Sequence, residues 1–256
     1  MHDVPGRIFR RKSRNILPAK GHMMHGCGTI IGGIYIMKTG YNVAIDGPAG
    51  AGKSTVARRV AREKGYIYVD TGAMYRAMAL YLIRKGIAPD DEARIARVCR
   101  EADISIEYRE GEQVVLLAGE NVNAFLRTEE VGNMASYSSA VPAVRKKLVE
   151  LQQDLAGKAD VVMDGRDIGT VVLPDADVKI YLTASSAVRA ERRYLELREK
   201  GEEADLSKIE QDIIERDYRD MHREHSPLCQ APDAVLLDSS HMSIEEVVER
   251  IVSLCR

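Results

Sequence analysis

At 256 residues the chain can bury a real core as one globular domain, and its 45% apolar and 30% charged content excludes a disordered or fibrous class. The formal net charge of −2 is uneven: residues 1–36 hold six Lys or Arg against Asp3 alone, leaving about −7 on an acidic body poorly suited to nucleic acid. Four scattered cysteines, Cys27, Cys99, Cys229 and Cys255, form no close pair, which suggests neither a zinc cluster nor a disulfide framework and points to a reducing compartment.

The Arg-rich opening, RIFRRKSRNILPAKGHMMHGCG, is open to three readings: a transit peptide, a nucleic-acid or lipid contact, or a flexible leader without a role. The last is preferred, because the segment lacks helical periodicity and its apolar patch is short. Cys27 to Met37, CGTIIGGIYIM, falls far below the roughly 20 apolar residues of a membrane span and is broken by glycines. Met37 stands four residues before the first convincing strand and is a candidate start of the working protein.

From Tyr41 the pattern is regular. The strand YNVAID runs into a glycine-rich loop, then a helix with Val56, Ala57, Val60 and Ala61 on one face, closed by Gly65. A second βα unit follows: YIYVD, Tyr66 to Asp70, then a helix from about Ala73 with Met74, Ala77, Met78 and Tyr81 at helical spacing before Gly86. Asp103 to Asn123 breaks the rhythm, alternating apolar and polar residues around REGE and AGEN, and predicts a small antiparallel meander inserted between helices. Later, VVMD, VKIYLTA and AVLLDSS are unalternating apolar runs suited to strands buried on both faces. The closing helix, SIEEVVERIVSL, opens with a capping box of Ser243 and Glu246. Strands alternating with helices imply an α/β fold: a parallel sheet covered by helices on both faces.

The chemistry starts at GPAGAGKST: Gly47, Pro48, Ala49, Gly50, Ala51, Gly52, Lys53, Ser54 and Thr55 satisfy G-x-x-x-x-G-K-[ST] between a strand and a helix. Glycines there let successive N–H groups converge on phosphate oxygens while the helix dipole adds to the pull. Lys53 is expected on the β and γ phosphates of a nucleoside triphosphate, and the Ser54 hydroxyl on Mg²⁺. Four apolar runs end in an aspartate, Asp46, Asp70, Asp164 and Asp238, each able either to face a ligand at the sheet's carboxyl edge or to cap the next turn. Asp164, followed by Gly165 and Arg166, is the choice for the Mg²⁺ shell.

Arginines distinguish a kinase from other phosphate-loop proteins. DTGAMYR supplies Thr71, Tyr75 and Arg76, DGRDIG adds Arg166 and Asp167, and ERDYRDMHR sets Arg216, Asp220 and Arg223 at i, i+4 and i+7 on one helix face. Such charges alone usually mean a solvated surface, but beside a phosphate loop they can neutralise and orient two anions. SSAVRAERRYLELREKG carries Arg189, Arg192 and Arg193, either as a charged surface helix or as a lid that excludes water.

GPAGAGKST, DTGAMYR, RTEEV, DGRDIGTVV and RDYRDMHR, in this order, resemble the bacterial-type cytidylate kinases from about Asn42 to the C-terminus. The resemblance implies a P-loop nucleoside monophosphate kinase of residues 37–256, using ATP and Mg²⁺ to phosphorylate CMP and dCMP. It implies a monophosphate-binding insert near residues 98–136 and a short helical lid near 185–201. By similarity Thr71, Tyr75, Arg76 and Arg166 hold the CMP phosphate, Arg216 and Asp220 the sugar, and Arg223 the phosphates, while Ser136, Arg145 and Asp167 read the base. Lys53, Arg166, Arg189 and Arg193 are the expected catalytic cations. Thr71 stands where the family often has serine, which keeps the hydroxyl. A monomer in the cytoplasm, with no nucleic-acid or membrane partner, is expected. The competing readings are a kinase of the same architecture acting on UMP, AMP or shikimate, and a nucleotide-dependent switch, for which no guanine-reading segment stands out.

Overall fold

The computed structural model describes residues 28–31, 34–37 and 40–256, in two units divided at Lys38. In the first unit β1 (Gly28–Ile31) and β2 (Ile34–Met37) pair antiparallel, so the short apolar stretch supplies two paired strands. The rest of the basic extension, with Cys27, lies outside the described residues.

The second unit is built on five parallel strands: β3 (Asn42–Asp46), β4 (Ile67–Asp70), β8 (Val161–Gly165), β9 (Val178–Thr183) and β10 (Val235–Asp238). Their order is β10-β9-β3-β8-β4, which puts the strand feeding the glycine loop at the centre. Alternate residues of the central strands feed two cores. Ala44, Val161 and Met163 pack on the side of α2 (Thr71–Arg84) and α5 (Pro142–Ala156). Val43, Ile45, Val162, Ile180 and Leu182 pack on the side of α1 (Lys53–Lys64) and α8 (Ile244–Leu254). Burial on both faces explains the unalternating sequence, and each fully buried aliphatic side chain contributes roughly 1.5–3 kcal/mol.

β10 departs from that expectation. As the sheet's edge it leaves Val235 and Leu236 38% and 56% exposed, and only Leu237 is buried. Apolar content alone could not separate an edge from the sheet's interior.

The expected meander is a three-stranded antiparallel sheet: β5 (Ile104–Arg109), β6 (Glu112–Leu117) and β7 (Glu120–Asn121). Its turns are Glu110-Gly111 and Ala118-Gly119, each a pair with positive φ, as two-residue hairpins require. It docks beside β4, where Asp70 N–H donates to Gln113 Oε1 (2.8 Å) and Tyr108 OH donates to the Tyr68 carbonyl (3.1 Å). Helix ends follow the sequence signals. Gly65 closes α1 in a left-handed conformation, and Ser243 with Glu246 forms the capping box of α8. The remaining helices are α3 (Glu92–Val98), α4 (Glu129–Ser138), α6 (Ser186–Glu199) and α7 (Leu206–His222). Among the described residues no helix is long and apolar enough to cross a membrane.

Candidate active site

The loop after β3 takes the conformation its glycines permit. Gly47 has φ 149°, and a Cβ there would sit 1.9 Å from the Leu182 carbonyl oxygen of β9, so no side chain fits. Gly52 stands at the α1 N-cap with φ 85°. The first turn of α1 has neither a capping side chain nor an acidic residue, which leaves its N–H groups and dipole available to an anion. Lys53 is buried and donates to the Pro48 carbonyl at 2.7 Å, folding back over the loop it serves. Burial and the nearby Arg166 lower its pKa from the ordinary lysine value.

The four strand-ending aspartates divide by role. Asp238 caps its own turn through Ser240, and Asp70 caps α2 by accepting from Ala73 N–H at 2.9 Å. Asp46 is buried and accepts from the N–H groups of Ile168 and Gly169, both at 2.7 Å, tying the base of the phosphate loop to the DGRDIG segment. Desolvation pushes its pKa up to about 6 against those two hydrogen bonds. Asp164 sits beside Ser54: the serine hydroxyl donates to Oδ2 and the Tyr68 hydroxyl to Oδ1, each at 2.9 Å. Burial, and then Asp70, raise the Asp164 pKa. One hydroxyl and one carboxylate in contact form a hard-oxygen pair of the kind Mg²⁺ takes while keeping several waters, so these residues fit that ion.

On the acceptor side the structure gathers most of the expected residues. Thr71 opens α2 and donates to the Asp164 carbonyl at 2.7 Å. Arg166 Nε donates to Asp220 Oδ2 at 2.9 Å. Arg145, from α5, lies against Asp167 as a buried ion pair and over the Tyr75 ring at 5.8 Å. Arg223 Nη2 approaches the other Asp167 oxygen at 3.8 Å. Arg216 has burial and Arg166 as the main causes of its lowered pKa. Arg76 forms no ion pair among the described residues, and Ser136, on α4, is half-buried. Three of the buried donors on this side, Tyr75 OH, Arg216 Nε and Arg223 Nη2, lack a hydrogen-bond partner, the last being only within ion-pair range of Asp167. Such groups cost about 1–3 kcal/mol each unless a ligand or water satisfies them.

Two expectations are refined. Arg223 stands just past the end of α7 with extended backbone, so only Arg216 and Asp220 share that helix face. Arg189 and Arg193 part company although they are one turn apart. Arg189 is buried, donating to the Ala49 carbonyl at 3.0 Å and pairing with Asp217 at 2.6 Å, and so joins the phosphate loop to α7. Arg193 makes an exposed pair with Glu196 on its own helix.

Sequence reasoning passed over two contributors, Asp217 and Tyr68, and left the place of Arg192 open between a surface helix and a lid. Asp217 is adjacent to Arg216, but its partner is set by how α6 packs on α7. Tyr68 reaches Asp164 from the neighbouring strand. Arg192 donates to the Ser239 carbonyl at 2.8 Å and, with Met242 and Ile244, walls a cleft of about 550 Å³ along residues 50–56. The sequence marked residues 50–55, Arg192 and Ser243 separately, and no spacing joined them into one cleft.

A glycine loop at the centre of a parallel sheet, with arginines opposite, defines a phosphate-binding-loop phosphotransferase. The cytidylate kinase family profile matches residues 43–256. A cytidylate kinase of Desulfitobacterium hafniense is 51% identical over 85% of this chain and 94% of its own length. Those of Lactobacillus johnsonii and Lactobacillus gasseri are 51% and 52% identical, over 83% and 82% of this chain and 92% and 91% of theirs. The chain belongs to the cytidylate kinase family.

Proposed function

We propose that this chain transfers the γ-phosphoryl group of ATP to CMP and dCMP, giving CDP and dCDP. One observation carries the reading: Ser54 of the donor loop donates to Asp164 Oδ2 at 2.9 Å, and Asp164 stands two residues before Arg166, whose Nε donates to Asp220 Oδ2 at 2.9 Å, so the donor loop adjoins an acceptor arginine. A phosphate-cradling loop beside guanidiniums is suited to neutralising and aligning two anionic substrates.

In this reading ATP lies along residues 47–55 with its base in the cleft beside Arg192. Ser54 and Asp164 would hold Mg²⁺, which would supply charge neutralisation to the triphosphate. Lys53 turns from Pro48 to the phosphates. Thr71, Tyr75, Arg76, Arg166 and Arg223 take the acceptor phosphate, and Arg216 with Asp220 the sugar. Transfer is in line, without a covalent enzyme intermediate, because the cations align two anions and spread the developing charge. No general base is needed, since the acceptor is already an ionised phosphate oxygen.

Asp167 accepts from the exocyclic amine of cytosine, while Arg145 and Ser136 face its acceptors. Residues 98–136 form the monophosphate-binding insert, and residues 185–201 the lid, whose closure carries Arg193 to the donor. The chain works as a monomer on small molecules. A coupled assay with CMP, dCMP, UMP and AMP tests the assignment. CMP or dCMP should be turned over fastest, and faster turnover of UMP or AMP would overturn it.

A further inference from the structure

Ser226 lies in the segment between α7 and β10. Among the described residues three non-glycines have positive φ: Glu110, Ala118 and Ser226. The first two precede a glycine in tight hairpins, where that conformation is ordinary. Ser226, with φ 51°, is in no hairpin, and a β-carbon is strained there. Pro227 disfavours the right-handed alternative, and buried Leu228 pins the segment by donating its N–H to the Asp220 carbonyl at 2.8 Å.

Held in this way, Ser226 uses both of its oxygens. Its hydroxyl accepts from Arg145 Nε at 3.1 Å, and its carbonyl accepts from Arg223 Nε at 2.5 Å. The same two guanidiniums flank the two oxygens of Asp167. Ser226, Arg145, Asp167 and Arg223 therefore close a ring in which the serine is the one member without charge.

We propose that Ser226 is a positioning residue for the choice of acceptor base, fixing how the Arg145 guanidinium is turned relative to Asp167. The inference rests on the cytosine-reading role proposed above for that pair. An arginine anchored at Nε presents its remaining edge in one orientation only. Uracil offers an acceptor where cytosine has its amine, and a donor at N3. A guanidinium free to swing would donate to uracil O4 while Asp167 accepted from N3–H, and discrimination would fall. Ser226 holds the arginine away from that alternative.

The test compares wild type, Ser226→Ala and Ser226→Gly in kcat and KM for CMP, UMP and ATP, alongside Tm. Ser226→Ala should raise KM for CMP about tenfold, leave KM for ATP within about twofold, and cut the CMP-to-UMP ratio of kcat/KM about tenfold. Ser226→Gly relieves the backbone strain, so it should match or exceed the wild-type Tm yet still lose the ratio. A purely structural role would change Tm and leave the ratio alone. Variants that keep both the CMP KM and the ratio within about twofold of wild type would overturn the proposal. A wild type that itself prefers UMP would overturn the proposed function instead, before any variant is compared.

Discussion

The donor side of the cleft is made of consecutive backbone, whereas the acceptor side is assembled from side chains on separate segments. Nine residues in a row, 47–55, supply the donor loop. The acceptor groups come from α2, α5, the turn after β8 and the end of α7. Their states differ too. The donor loop holds short internal contacts in place of its proposed ligands, Lys53 to the Pro48 carbonyl and Ser54 to Asp164. The acceptor arginines are already answered by carboxylates, Arg166 by Asp220 and Arg145 by Asp167. Filling the donor side exchanges separate local contacts, while filling the acceptor side rearranges a network of ion pairs. Specificity belongs on the second, where each imperfect exchange leaves a buried charge unpaired.

Lys53→Ala should show the largest effect, a fall in kcat of roughly a thousandfold. KM for CMP should change little and the circular dichroism spectrum should be retained. A variant with normal turnover would erase the distinction between the two sides.

Arg166→Ala should reduce kcat/KM for CMP about a hundredfold, because it removes the proposed phosphate contact and leaves Asp220 without its partner. KM for ATP should move far less. An equal loss for both substrates would mean that the arginine serves the site as a whole.

Asp46 joins the two sides, and pH reads that junction. Its pKa is raised from the ordinary value to about 6, so its stabilising contribution is complete below about pH 4 and is lost as pH rises through about 6. Relative to Asp46→Asn, wild type should lose on the order of 2 kcal/mol over that window and then level off. Urea unfolding of both proteins at pH 4, 5, 6 and 7 measures the difference. A constant difference would show that the carboxylate does not titrate there.

Ser243→Ala should be the mildest change. Losing the capping box of α8 costs about 1 kcal/mol in thermal unfolding and should leave kcat within about twofold, since Ser243 lines the cleft proposed for the base of ATP and is not part of the phosphate loop. A large kinetic effect would extend the donor side to α8.

The same division governs what could be read from the sequence. The phosphate loop is local, and nine adjacent letters specify it because its geometry comes from glycine conformation and one helix terminus. The strands around it were legible because burial on both faces removes polar alternation, but for the same reason edge strand β10 looked like an interior one. The acceptor residues carried a weaker signal, since Arg145 and Asp167 are 22 positions apart and meet only when α5 packs beside β8. Resemblance supplied their roles, and the fold supplies their proximity. Asp217 and Ser226 were invisible because their partners lie on other segments and their own types are common in helices and loops.

Gly47 sets a rule for redesign. Because the backbone of β9 occupies the space that a side chain at 47 would need, the opening of the loop is fixed by a neighbour almost 140 positions later. A graft that brings in another protein's phosphate-gripping turn must begin with the same bare residue or reshape the adjoining strand as well. Gly52 meets no such wall, so diversity introduced there is limited by backbone conformation alone. Selection for a working loop should therefore return a single letter at one of these positions and a short menu at the other.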